Sequence, residues 1–158
     1  MLSKIISGGQ TGADQAGLEA AIRLGIPHGG WIPKGRLTED GPLPGRYNLQ
    51  EMPTKSYPKR TVQNILDSDG TLVVSHGKIT GGTKLTVELA QKHGKPCLHM
   101  DLSAITSSYA VRMLQSWIAD NGIRVLNVAG PRASKDPAIF EAVVDLLGRA
   151  LVGNSGNR

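Results

Sequence analysis

The chain has 158 residues, of which 39% are hydrophobic and 20% charged, and its formal net charge is +5. That length and apolar content suffice for one buried core and exclude a chain disordered by composition. The apolar runs fall short of the about 18 residues of a membrane span, and a single cysteine, Cys97, excludes an internal disulfide.

The chain enters a strand-like run at once, without a basic leader or cleavage site, so a cytoplasmic protein is expected. The positive charge favours anionic partners, either a phosphorylated small molecule or a nucleic acid. The six aromatics (Trp31, Tyr47, Tyr57, Tyr109, Trp117 and Phe140) are scattered. They form no stacking platform, which disfavours nucleic acid.

The first element is a strand over Lys4–Ser7, followed by the glycine-rich turn Gly8-Gly9-Gln10-Thr11-Gly12 and a helix from about Asp14 to Leu24. Leu18, Ala21 and Ile22 give that helix its apolar stripe, and Gly25 suits its C-terminal stop. A weak strand is expected near His28–Ile32. The segment 33–58 is rich in Pro and Gly and too long for an ordinary connection, so it is functional or hides a short strand near Tyr47–Met52. It is also basic, through Lys34, Arg36, Arg46 and Lys55.

A second helix is expected over about Lys59–Asp67, with Val62, Ile65 and Leu66 inward. The run Gly70–Ser75 reads as a strand buried on both faces. A second glycine loop, 76–82, leads into a helix over Thr83–His93, with Thr83 as a candidate cap. A strand over Pro96–Met100, a helix over about Ser107–Asn121 and a strand over Arg124–Val128 follow. The last turn, 129–135, precedes a helix for which Asp136 is the expected N-cap and Pro137 the first residue. One domain is expected over 1–152, with a polar, frayed tail over 153–158.

Strands that alternate with helices imply a parallel sheet covered on both faces, with ligands outside the carboxyl ends of the strands. The three glycine loops all follow strand ends, so they should share one sheet edge. The first loop offers backbone N–H groups and the side chains of Gln10 and Thr11. Asp14 suits either a helix cap or a contact to a ligand hydroxyl. The loop is neither G-x-x-x-x-G-K-[ST] nor G-x-G-x-x-G, which disfavours an ordinary nucleotide or NAD fingerprint. The plainer alternative is a tight turn.

The second loop, with Ser75, Thr80, Gly81, Gly82 and Thr83, reads as an anion cradle at a helix start. Glu88 is open to two readings, a solvated partner of Lys84 or Lys92, or a site residue. The third loop supplies Arg132, Ser134 and Lys135, and arginine suits bidentate contact to phosphate. The four histidines have no ligand-like spacing, so no protein-bound metal is indicated.

The runs Ser7–Asp14 (SGGQTGAD), Gly35–Pro42 (GRLTEDGP), Thr80–Thr83 with Glu88, and Gly130–Ser134 (GPRAS) resemble the small bacterial proteins grouped as putative molybdenum carriers. The resemblance covers nearly all of residues 1–152. That group lies in a superfamily that also holds the LOG (lysine-decarboxylase-like) phosphoribohydrolases. It implies a Rossmann-like three-layer α/β/α sandwich with a mostly parallel sheet of about five strands, and an anionic pterin or nucleotide ligand.

Molybdenum cofactor is the implied cargo, held by phosphate and oxo contacts rather than by protein ligands to the metal. The implied contacts are Gly8, Gly9, Gln10, Thr11, Gly12, Asp14, Lys34, Arg36, Ser75, Thr80, Gly81, Gly82, Thr83, Glu88, Arg132 and Ser134. The phosphoribohydrolases carry P-G-G-x-G-T-x-x-E. Here Thr80, Lys84 and Leu85 replace its Pro, later Gly and Thr, while the paired glycines and Glu88 match. A non-catalytic binding protein is therefore the first reading. A nucleoside-monophosphate N-glycosidic hydrolase using Glu88 and Arg132, or a nucleotide sensor, is the alternative. A homo-oligomer is implied by the relatives.

Overall fold

The structure is a computed structural model, which describes residues 1–152; the expected tail, 153–158, lies outside the described residues. In chain order the elements are β1 (Lys4–Ser7), α1 (Ala13–Leu24), β2 (His28–Gly29), β3 (Trp31–Ile32), β4 (Leu37–Thr38), β5 (Gly41–Pro42), β6 (Gln50–Glu51), α2 (Tyr57–Leu66), β7 (Gly70–Ser75), α3 (Gly81–Lys92), β8 (Cys97–Asp101), α4 (Ser107–Asp120), β9 (Val125–Ala129) and α5 (Ile139–Ala150). Five strands form one sheet in the order β2-β1-β9-β7-β8, and every pair in it is parallel. The fold is the expected Rossmann-like α/β sandwich. The chain's first and last strands lie side by side in it, which brings their following loops together.

Period-two alternation explains the two faces. Ile5, Leu72, Val74, Leu126 and Val128 pack with α1, α4 and α5 in the main core. The intervening Thr71 and Asn127 point the other way, toward the side covered by α2 and α3, and hydrogen-bond to each other at 3.1 Å. All six residues of β7 are buried, as its continuous apolar run requires. None of the helices among the described residues is long and apolar enough to cross a membrane.

The expected strand 28–32 is split. Gly30 takes φ +124°, and a Cβ there would meet the Ser7 carbonyl oxygen at 2.2 Å. The chain therefore turns out of the main sheet, and Trp31–Ile32 pairs instead with Gln50–Glu51. Asn64 of α2 fixes the turn, accepting from the Trp31 N–H at 2.8 Å and donating to the Trp31 carbonyl at 3.0 Å.

The basic segment 33–58 holds itself in place with its own cations. Arg36 donates to the carbonyls of Leu43, Pro44 and Tyr47 at 3.2, 3.1 and 2.9 Å. Arg46 pairs with Glu19 of α1 at 2.7 Å, and the Tyr47 hydroxyl donates to the same carboxylate at 2.9 Å. Tyr47 and Leu49 join Leu18, Ile32 and Leu43 in a second small core.

Three local expectations need correction. Helix α3 starts at Gly81 rather than Thr83, and its N-cap, Thr80, makes no side-chain cap hydrogen bond. Helix α2 starts at Tyr57 because Ser56 caps it by accepting from the Lys59 N–H at 3.3 Å; its Leu66 points outward, 45% exposed. Asp136 does not cap α5. It makes a turn by accepting from the Ala138 N–H at 3.1 Å, and its other oxygen takes His76 at 2.7 Å.

Candidate functional site

At the carboxyl ends of β1, β7 and β9, between α2 and α3, lies a cleft of about 280 Å³. Its walls include Gly8, Gln10 and Asp14 from the first loop, Thr80, Gly82 and Thr83 from the second, and Gly130, Pro131, Arg132 and Lys135 from the third. Segments far apart in sequence meet because parallel strands all point their ends to one edge.

The first loop is tied down rather than open. The N–H of Gly9 donates to Ser7 Oγ at 3.3 Å, that of Gln10 to Asp14 Oδ2 at 3.2 Å, and that of Thr11 to Gln10 Oε1 at 3.0 Å. The Ala13 N–H donates to the Pro131 carbonyl at 3.1 Å. These donors are spent within the protein, so the loop shapes the cleft more than it supplies N–H groups to it.

A carboxylate on the β4–β5 hairpin joins the loops. Glu39 accepts from the Ser134 hydroxyl at 2.5 Å, from the Ser134 N–H at 3.1 Å and from the Thr11 hydroxyl, and pairs with Arg132 Nε at 3.4 Å. The Ser134 hydroxyl first, then that of Thr11, hold the Glu39 carboxyl below its usual range. Gln10 Oε1 also accepts from the Glu39 N–H at 2.9 Å. One wall of the cleft is thus a closed polar network.

The opposite wall stays open. Helix α3 has no side-chain cap, and its first internal backbone bond runs from the Lys84 N–H to the Thr80 carbonyl at 3.3 Å. Helix starts leave their first N–H groups without intrahelical partners. Gly81 and Gly82 are exposed there. Lys135 stands across from them, for a methyl group on Gly81 would come within 3.1 Å of its Nζ.

Sequence reasoning did not find the floor of the cleft, which α2 provides. Tyr57, Arg60, Thr61 and Asn64 line it. Arg60 is only 8% exposed, and so is Asp14. Arg60 Nη1 donates to the Gly8 carbonyl and lies 3.8 Å from Asp14 Oδ2, while Arg60 Nε is buried with no hydrogen-bond partner among the described residues. Gly8 permits that approach, because a Cβ there would lie 2.1 Å from Arg60 Nη1.

Burial pushes the Asp14 carboxyl up to about 6, with Arg60 and the Gln10 N–H pulling back against it. Burial likewise lowers the Arg60 guanidinium, and Asp14 opposes that. The overlooked signal was spacing. Residues 57, 60, 61 and 64 are i, i+3, i+4 and i+7, one polar face of a helix.

Of the residues singled out in the sequence, Gly8, Gln10, Asp14, Thr80, Gly82, Thr83 and Arg132 line the cleft. Gly9, Thr11, Gly12, Gly81 and Ser134 sit in the surrounding loops without lining it. Lys34 is exposed outside it, and Arg36 is committed to the three carbonyls of its own segment. Ser75 is buried behind the second loop, donating to the Gly77 carbonyl at 2.7 Å. Its oxygen also meets His99 Nε2 at 2.8 Å. With its proton on Gly77, Ser75 is no nucleophile for His99. Glu88 is exposed on α3, with no ion pair to Lys84 or Lys92 among the described residues.

Comparison with known proteins follows the same lines. The family model described as the circularly permutated YpsA SLOG family matches residues 5–151. A crystal structure of a "Putative molybdenum carrier protein" from Syntrophus aciditrophicus SB is 56% identical, over 95% of each chain, with a TM-score of 0.94. No protein of curated function matches the sequence. The resemblance seen in the glycine loops is borne out: the chain belongs to the circularly permutated YpsA SLOG family.

Proposed function

We propose that the chain is a non-catalytic, cytoplasmic binding protein that holds a small phosphate-bearing anion in the cleft at the sheet edge. The observation that carries this reading is the meeting of the uncapped α3 start with Lys135. A helix N-terminus carries about half a positive charge. The Lys135 ammonium beside it adds to that positive potential, which an anion placed between them would satisfy. Arg132 stands on the same cleft and pairs with Glu39 through its Nε. Helix start, ammonium and guanidinium together suit a phosphate.

A volume of about 280 Å³ accepts a heterocycle with a phosphate and is too small for a folded partner. The ring of Tyr57 and the side chain of Thr61 line the space open to the heterocycle. Molybdenum cofactor, an anionic pterin with a terminal phosphate, is the named candidate, supported by the description of the 56% identical neighbour. Its dithiolene sulfurs already hold the metal, so it travels as cargo.

The alternative is hydrolysis of the N-glycosidic bond of a nucleoside monophosphate. That reading asks Glu88 to reach the reacting sugar. Glu88 is exposed on α3 and is not part of the cleft wall, which favours binding over turnover. A sensor of nucleotides would use the same cleft.

Titration calorimetry with isolated molybdenum cofactor, adenosine 5′-monophosphate and adenosine separates these readings. The proposal expects the cofactor to bind and adenosine not to. Binding of the monophosphate alone keeps the cleft and removes the cofactor. Release of adenine from the monophosphate overturns the non-catalytic reading. No heat with either phosphate-bearing ligand overturns the site.

A further inference from the structure

We propose that Arg60 is a second anion contact on the cleft floor and that Asp14 is its place-holder, releasing the guanidinium and taking up one proton when an oxyanion of the ligand seats there. The inference rests on the anion-binding reading of the same cleft and adds to it a subsite and a coupled proton.

Three observations support it. Arg60 and Asp14 both line the cleft and both are about nine-tenths buried. They attract each other at 3.8 Å, which is too long for a hydrogen bond. Arg60 Nε is meanwhile buried without an acceptor among the described residues. A buried donor left unpaired is costly, and an acceptor supplied by a ligand removes that cost. The floor is therefore an incompletely satisfied guanidinium facing a carboxylate that does not fully engage it.

The proton follows from electrostatics. An oxyanion at Arg60 places a second negative charge beside Asp14 in a poorly solvated site. Two such charges do not both persist there, and the carboxylate is the group that protonates. The acid form of the buffer supplies the proton and becomes its base form, and Asp14 passes from carboxylate to carboxylic acid. Its starting value of about 6 puts it within reach of that change near neutral pH.

The charged and titratable groups that face the pair are few. Arg60 and Tyr57 come from α2, Arg132 and Lys135 from the loop after β9, and Glu39 closes the wall behind Gln10. The faces of β1, β9 and α3 that line the cleft carry no titratable side chain: Gly8, Asn127, Gly82 and Thr86 among them. Of all these, Arg60 is the charge that acts on Asp14 appreciably.

Sulfate is the probe, because its charge is constant across the range studied. Calorimetry on the full chain at pH 7, repeated in buffers of different ionisation enthalpy, counts the protons taken up. The expected result is about 0.9 proton per sulfate bound, with affinity falling about fivefold from pH 6 to 7 and about ninefold from pH 7 to 8. Asp14→Asn, an isosteric stand-in for the protonated acid, should bind sulfate at pH 8 at least tenfold more tightly than the natural chain, with no pH slope and no proton uptake.

Sulfate binding with no proton uptake, or with an uptake that persists in Asp14→Asn, overturns this inference and leaves the anion-binding cleft standing. An absence of sulfate binding to both proteins at pH 6 overturns the inference together with the reading beneath it.

Discussion

Asp14→Asn also tests the burial argument in the empty protein. The Asp14 carboxyl is raised from 3.8 to about 6 by burial, against the pull of Arg60. A raised carboxyl means that the native state binds the proton more tightly than the unfolded chain. Ionising it therefore costs stability. The cost is absent below pH 3.8, grows as the pH climbs to about 6, and is complete above that. The shift corresponds to roughly 3 kcal/mol at pH 8.

Asparagine escapes this cost and keeps an oxygen to accept from the Gln10 N–H. In a chain of this length the gain should raise Tm at pH 8 by ~6–12 °C, and it should fall to about a fifth of that near pH 4. Thermal and urea unfolding of both proteins at pH 4, 6 and 8 measures it. The readout is the change in their difference with pH, since any constant offset from exchanging hydroxyl for amide cancels. A difference that does not vary with pH, or a natural chain that gains on the variant as pH rises, refutes the reasoning.

Lys135→Ala removes the ammonium facing the α3 start, and should weaken binding of adenosine 5′-monophosphate or cofactor by about tenfold or more in calorimetry. Unfolding of that variant should match the natural chain, because Lys135 is exposed. Glu39→Ala should speed hydrogen exchange of the Ala133 and Ser134 amides, which donate to Thr11 and to Glu39 itself. In the natural chain that protection should hold at neutral pH and be lost only as pH falls below 4.5 through the lowered Glu39 value. Gly30→Ala should destabilise by at least ~2 kcal/mol in urea unfolding, since it demands φ +124° and a 2.2 Å approach to the Ser7 carbonyl oxygen.

The sheet was legible because its strands obey strong local rules. Gly70–Ser75 is apolar or β-branched through its centre and is buried at every position. The loops were legible as neighbours because parallel topology forces strand ends to one edge. What stayed hidden depended on tertiary contacts. Gly30 reads as a gap in a strand, and its turn is set by the backbone of Ser7, distant in sequence.

Arg36 reads as a ligand cation because charge is visible in a sequence and its partner is not. The carbonyls that occupy Arg36 come from a segment with no periodic pattern. Arg60 was missed for the converse reason. An arginine on a short helix reads as solvated surface, and only packing against Gly8 and Asp14 reveals a buried guanidinium. The N–H groups of the first loop were assigned to a ligand because nothing local shows that Asp14, Gln10 and Pro131 consume them.

Adenosine 5′-monophosphate and adenosine differ only in the phosphate, so their affinities for this chain, for Lys135→Ala and for Lys34→Ala isolate the central claim. The phosphate should strengthen binding at least tenfold in the natural chain. The same gain is expected in Lys34→Ala, whose lysine lies outside the cleft, and most of it should be lost in Lys135→Ala. Equal binding of the two ligands, or a phosphate gain that survives Lys135→Ala intact, would contradict it.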